Sequence, residues 1–369
     1  MCQPTAENDR GSTLRVERCG QAPKVRRQIR DAERHATILL ILLAVVSCQS
    51  AQADDKPLVA TAVNQVDRDY WFQGEYKGFG VNSCGCCQPY GLQVVALGKN
   101  QFQAVLFPGG LPGNGWWTGM SQSALKGERD GEVLWLVGEQ HRIEITNSRA
   151  AVRELSASGS EYPLGELLRI ERKSQTLGAC PPPGAIVLFN GSNSDHWKNA
   201  KISEDRLLQI GTETKEPYRD FYLHLEFLLP YMPQARGQGR ANSGVYIQSR
   251  YEVQVLDSFG LKGEHNECAG LYRFKAPDAN LCFPPIVWQT YDIEFRSPGF
   301  GADDKKCADA RVSVWHNGVL VQNHVALANK TGGGAAESPK ALPTKLQDHG
   351  NPVRFRNIWL IDRTCCAQY

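Results

Sequence analysis

Beyond residue 53, apolar and polar positions alternate with a period of two in short runs broken by Gly, Pro or Asn-Gly, and no window sustains a helical period. In 220–227, Phe221, Leu223, Leu225 and Phe227 fall on one face and Tyr222, His224 and Glu226 on the other. In 251–256, Tyr251, Val253 and Val255 face one way and Glu252 and Gln254 the other. Residues 292–296 repeat the pattern, and 311–321 read as a hairpin around Asn317-Gly318, a pair suited to a type I′ turn. Strands with one buried and one polar face, in this number, predict a sandwich of two antiparallel sheets.

Upstream, shorter strand candidates at 93–97, 101–107, 133–137 and 142–146 are separated by turns and predict a smaller β-rich domain. The run Gly178-Ala179-Cys180-Pro181-Pro182-Pro183-Gly184 is a stiff connector followed at once by an apolar run. The expected organisation is therefore an accessory β-rich domain at 57–177, a linker at 178–184 and a sandwich at 185–363.

Residues 1–53 read differently. Lys24, Arg26, Arg27, Arg30 and Arg34 precede 36–46, where every residue except Thr37 is apolar. That core is too short for a membrane span and reads as an export signal, with Ala51-Gln52-Ala53 as its cleavage site. Val45-Val46-Ser47-Cys48 offers a second reading, a lipobox that would leave a lipid anchor on Cys48. The long basic stretch ahead of the core also leaves open whether Met1 is the true start. The expected location is outside the cytoplasm.

The full chain of 369 residues carries 41 Lys+Arg against 39 Asp+Glu, so no charge field exists to attract nucleic acid or an anionic membrane. Beyond the leader stand Cys84, Cys86, Cys87, Cys180, Cys268, Cys282, Cys307, Cys365 and Cys366. In an exported chain these are expected disulfide partners, one of them left over. There is no phosphate loop, GxSxG elbow or HExxH. Nucleotide-driven, serine-esterase and HExxH-metalloprotease chemistry are disfavoured, and no nucleotide or organic cofactor is expected.

Three polar stretches carry candidate chemistry: Arg240-Ala241-Asn242-Ser243-Gly244-Val245-Tyr246, Tyr251-Glu252-Val253-Gln254-Val255-Leu256-Asp257, and the segment from Leu346 through Gln347-Asp348-His349-Gly350-Asn351 to Asn357. With Asp220-Phe221-x-Leu223-x-x-Glu226-Phe227 and Gly270-Leu271-Tyr272, they resemble the 3-keto-disaccharide hydrolase family over about residues 184–363. The resemblance implies a concanavalin-like jelly roll with a groove, acting on glycosides whose glucose carries a ketone at C3. The chain is then all-β: a C-terminal jelly-roll sandwich with a smaller N-terminal β-rich domain, and a carbohydrate as its partner.

A ketone at C3 acidifies the hydrogen at C2, so a base can remove it and the enolate can expel the C1 oxygen; water then adds across the double bond. Such a site needs a base, an acid and an electrophile for the enolate oxygen. His349, beside Asp348, suits proton transfer near neutral pH. Glu226 and Glu252 on the polar strand faces suit acid, base or ligation of a divalent cation that polarises the ketone; the plain alternative pairs them with Arg250, Arg354 or Arg356 on a solvated face. Asp257 lies five residues after Glu252 and reaches the same face only through a β-bulge. That spacing resembles the Glu-x-Asp-x-x-Glu of retaining glucanases, from which Gln254 and Asp257 depart. Asn242, Gln254 and Tyr272 suit sugar hydroxyls, and Arg354 and Arg356 an anion or enolate. Trp116-Trp117 is a candidate sugar platform, whereas Trp288, Trp315 and Trp359 are expected in the core. A non-catalytic lectin and a conventional glucanase are the rival readings.

Overall fold

The computed structural model describes residues 56–364; the expected export signal, the alternative lipid anchor at Cys48, Cys365 and Cys366 lie outside them. Among the described residues there is no α-helix. The eight strands Gly74–Val81, Cys87–Gly98, Gln101–Pro108, Ser123–Asp130, Val133–Val137, His141–Thr146, Arg149–Leu155 and Glu161–Ile170 pair antiparallel in chain order, and the last closes on the first. The result is an up-and-down barrel. Period-two alternation drives it, because Tyr76, Leu92, Leu106, Leu134, Ile143, Val152 and Leu167 all point inward and fill the interior with side chains.

The second body is a sandwich. One sheet is ordered Ile186–Phe189, Arg354–Asp362, Phe221–Leu228, Trp288–Arg296, Ala310–His316, Val319–Leu327, with Leu208–Gln209 paired on Arg354–Asp362. The other is ordered Trp197–Lys198, Thr212–Thr214, Lys345–Leu346, Ser243–Ile247, Tyr251–Val255. Phe221, Leu223, Leu225 and Phe227 from the first meet Val245, Ile247, Tyr251, Val253, Val255 and Leu346 from the second in one core. The hairpin turn sits at Asn317 and Gly318, with φ of 53° and 82° as a type I′ turn requires. Tyr231 leaves the sandwich to pack in the barrel core, its hydroxyl donating to Asp67 at 2.9 Å.

The segment between barrel and sandwich runs across the outer face of the larger sheet. There Thr176 Oγ1 donates to Asp292 Oδ2 at 2.7 Å, the Gly178 N–H to Glu226 Oε1 at 2.6 Å, and Trp359 Nε1 to the Ala179 carbonyl at 3.1 Å. The polar face of Phe221–Leu228 is thereby sealed rather than solvated. Seven cysteines, Cys84, Cys86, Cys87, Cys180, Cys268, Cys282 and Cys307, carry free thiols, so the expected bridges are not formed among the described residues. Trp116 is buried and only Trp117 of that pair is exposed; of the three tryptophans expected in the core, Trp359 is buried and stacked on His224, whereas Trp288 and Trp315 are half-buried.

Candidate active site

The outer face of the smaller sheet forms the site. Alternation sends Val245, Val253, Val255 and Leu346 into the core and turns Asn242, Tyr246, Glu252, Gln254 and Gln347 outward. These side chains floor a cleft of about 250 Å³. Its walls are Tyr272 and Arg273 from one loop and Gly332-Gly333 from another, and His349 stands exposed at its mouth. The glycines allow close approach: a Cβ at 332 would come within 2.6 Å of the Tyr272 ring, and one at 333 within 2.8 Å of Tyr246 Oη.

Glu252 is 1% exposed. Burial pushes its carboxyl up to about 7, against the opposing pull of the Tyr246 hydrogen bond and the Lys345 charge. Its backbone N–H donates to Thr331 Oγ1 at 2.7 Å, while carboxylate oxygen Oε2 is buried without a partner. Asn242 Oδ1 and Gln347 Oε1 are likewise buried and unpaired. The Asn242 amide is oriented by Nδ2, which donates to the Gln238 carbonyl at 2.8 Å, and the backbone N–H of Gln347 donates to the Gly244 carbonyl at 2.9 Å. Gln254 Nε2 donates to Gln238 Oε1 at 3.0 Å. Buried acceptors left open in native folds call for an explanation, and three in one cleft point to a ligand that supplies donors or positive charge.

Of the residues read from sequence, the cleft gathers His349, Glu252, Asn242, Gln254 and Tyr272. It does not gather the others. Glu226 lies on the outer face of the opposite sheet, with the core between it and Glu252 and sheets packed about 10 Å apart. Burial raises its pKa, but hydrogen bonds from His224, Asn357, Arg356 and the Gly178 N–H prevail and hold the carboxyl at about 2. The Glu226–Glu252 metal pair is therefore not formed, and among the described residues no cluster of three His, Cys, Asp or Glu could hold a metal. Arg356 donates to Glu226 Oε2 at 2.7 Å and stacks on Trp288 at 3.8 Å. Arg354 donates to Asp205 Oδ2 at 2.8 Å and to Thr61 Oγ1 at 3.1 Å. Asp257 is buried against Arg240 at 2.6 Å and also accepts from the Phe259 N–H, which spends its carboxylate on the loop. The plain pairing alternative thus holds for Glu226, while Glu252 has no arginine partner.

Tyr246, Gln238, Gln347 and Lys345 were not singled out as site residues. Tyr246 and Gln347 were legible: each sits one residue from a core position inside a polar stretch already marked. Gln238 and the Gly332-Gly333 wall come from loops that no strand period reports.

Residues 184–361 match the family described as the 3-keto-alpha-glucoside-1,2-lyase-like domain. Two solved structures from Parabacteroides distasonis ATCC 8503, both named as candidate glycosyl hydrolases, are similar to about half of this chain. One, at 2.13 Å resolution, is 31% identical, covers 49% of this chain and 84% of its own, with a TM-score of 0.46. The other, at 1.70 Å, is 19% identical, covers 48% of this chain and 94% of its own, with a TM-score of 0.34. No curated protein matches the sequence. The family match over 184–361 supports a carbohydrate-active role of the hydrolase class. Through its C-terminal domain, the chain belongs to the 3-keto-disaccharide hydrolase family.

Proposed function

We propose that the cleft cleaves 3-keto-glycosides by proton abstraction at C2, elimination of the C1 oxygen and addition of water. The observation that carries this reading is Glu252: a carboxylate poised near 7, one oxygen unpaired, and no second carboxylate among the residues that line the cleft. A retaining glycosidase needs two carboxyls about 5–5.5 Å apart. Elimination next to a ketone needs one base. Ionised Glu252 takes the C2 proton, the electron pair moves into the enolate, and the C1–O bond breaks with a proton delivered to the leaving oxygen. Burial and the neighbouring Glu252 charge raise the Tyr246 phenol, keeping it protonated beside the base, and His349, which lines the cleft, is the acid of this reading that protonates the departing group. Asn242, Gln254 and Gln347 supply amide groups for the sugar hydroxyls, and Tyr272 walls one side.

The unpaired oxygens of Asn242 and Gln347 are the donor type that hard divalent cations take, so in place of sugar hydroxyls these two amides would hold such an ion, which would polarise the C3 ketone and leave Glu252 free as the base. Export of the chain remains part of the same reading, resting on the basic stretch and apolar core of residues 1–53.

Incubating the purified protein with a 3-keto-disaccharide should release the leaving sugar, and the unoxidised parent should stay intact. Cleavage of the parent instead would make the protein a conventional glycosidase. Tight binding without turnover, with or without divalent metal, would make it a lectin.

A further inference from the structure

A second cavity, of about 360 Å³, opens at the end of the barrel where Trp71, Gln73 and Arg169 meet Pro284 and Val287 of the sandwich. Its volume falls in the range of small-molecule sites. Gln73 is 1% exposed, and its Oε1 accepts the Ala96 N–H at 3.1 Å. That bond fixes the amide orientation, so Nε2 is the free group, and it is buried without a partner. Arg169 Nε is also buried and unpaired. The guanidinium is held in place by a 2.9 Å bond from its other nitrogen to the Gln73 carbonyl, and it lies over Gly74, where a Cβ would come within 3.1 Å of Nε.

Both open groups are donors, so the missing partner brings oxygen acceptors. Of the charges that line the cavity, Arg172 is spent on Glu75 at 2.6 Å, Gln93 completes that carboxylate at 3.0 Å, and Glu171 stands exposed beside them. At the rim Trp71, 54% exposed, offers an aromatic face. A ligand that presents oxygen acceptors on one side and a C–H face on the other is a saccharide. We propose that the barrel carries a second, non-catalytic saccharide site in which Gln73 Nε2 and Arg169 Nε donate to sugar oxygens and Trp71 packs on the ring. This site stands independently of the elimination chemistry in the cleft, which contains no tryptophan.

The full-length protein labelled with 5-fluorotryptophan tests it, with the Trp71 fluorine signal assigned by Trp71→Phe. Titration with cellobiose, maltotriose and a glucuronate-containing disaccharide should shift the Trp71 signal saturably for at least one of them, and the three probes tell neutral from acidic sugars. Arg169→Lys, which keeps the charge but lacks Nε, should weaken that binding by about tenfold, as should Trp71→Ala read by calorimetry on a Glu252→Gln background. A Trp71 signal unmoved by all three sugars, or binding of equal strength in Arg169→Lys with the fold confirmed by circular dichroism, would overturn the assignment. Turnover in the cleft does not enter this readout, so failure of the elimination chemistry leaves it intact.

Discussion

Gly244 lies directly against the Glu252 carboxylate: a Cβ at position 244 would fall inside van der Waals contact of Oε1. The two residues stand on neighbouring strands, where Gly244 pairs with Gln254 and Tyr246 with Glu252. The glycine here is a matter of room, not of backbone dihedral. Its missing side chain leaves room for the carboxylate, whose Oε1 lies over the glycine while Oε2 is buried without a partner.

Gly244→Ala is therefore expected to displace the Glu252 carboxylate while leaving the sandwich core untouched. Misplacing a reacting group by about 1 Å costs on the order of 100-fold in rate. The measurement is kcat on a 3-keto-disaccharide together with circular dichroism, and normal kcat in the alanine variant would show that the carboxylate's position does not matter.

Glu252 also predicts opposite pH dependences for activity and stability. The base must be ionised, so kcat/KM should rise with pH through an inflection near 7. The folded pKa lies above the ordinary value of 4.5, so the native state binds more protons between 4.5 and 7 and stability falls as pH rises across that window. The shift amounts to on the order of 3 kcal/mol. Glu252→Gln should accordingly lose turnover by about 100-fold or more and yet melt higher than the parent protein at pH 8. A lower melting temperature for the glutamine variant at that pH would contradict the buried, strained carboxylate.

Period-two alternation made the sandwich strands and the outward face of Glu252 and Gln254 legible in the sequence, because side-chain direction in a strand follows from position alone. It could not reveal which sheet each strand joins. Glu226 and Glu252 show the same outward pattern, yet their strands lie in opposite sheets, so their polar faces point away from each other. Nor does alternation report what covers a face: 174–179 seal Glu226, whereas 331–334 only wall the Glu252 cleft. The barrel's closure is a pairing of its first and last strands, a contact between distant segments that local pattern does not encode.

Glu226 should then matter to stability and not to chemistry. Its hydrogen bonds tie 178 and 356–357 to the sheet, and its depressed pKa stabilises the fold above about pH 4.5, a contribution lost as pH falls toward 2. Glu226→Gln leaves Arg356 without its charge partner and should cost on the order of 3 kcal/mol by urea denaturation at neutral pH. Below the melting transition kcat should hold. A loss of kcat of about 100-fold in the folded variant would return Glu226 to the chemistry.

Arg250 positions the cleft wall, though its side chain does not line the cleft. Its guanidinium is buried beneath 336–340 and donates to the Ala336 carbonyl at 2.9 Å, to Ser338 Oγ at 2.7 Å and to the Lys340 carbonyl at 2.9 Å. The neighbouring Tyr251 hydroxyl binds Glu337, and Thr331, whose N–H donates to the Arg250 carbonyl at 3.1 Å, accepts the Glu252 N–H. One arginine thus fastens the segment that lays Gly332 and Gly333 over the tyrosines and keeps water from Glu252. Arg250→Met fills much of the volume and removes every one of these donors, at a cost on the order of 3 kcal/mol in stability. With the wall loosened, water reaches Glu252, the burial that raises its pKa is relieved, and the inflection in kcat/KM should move from about 7 toward the ordinary 4.5. A merely structural role would lower stability and leave the inflection in place, so a folded Arg250→Met protein whose profile still turns near 7 would separate Arg250 from the protonation of Glu252.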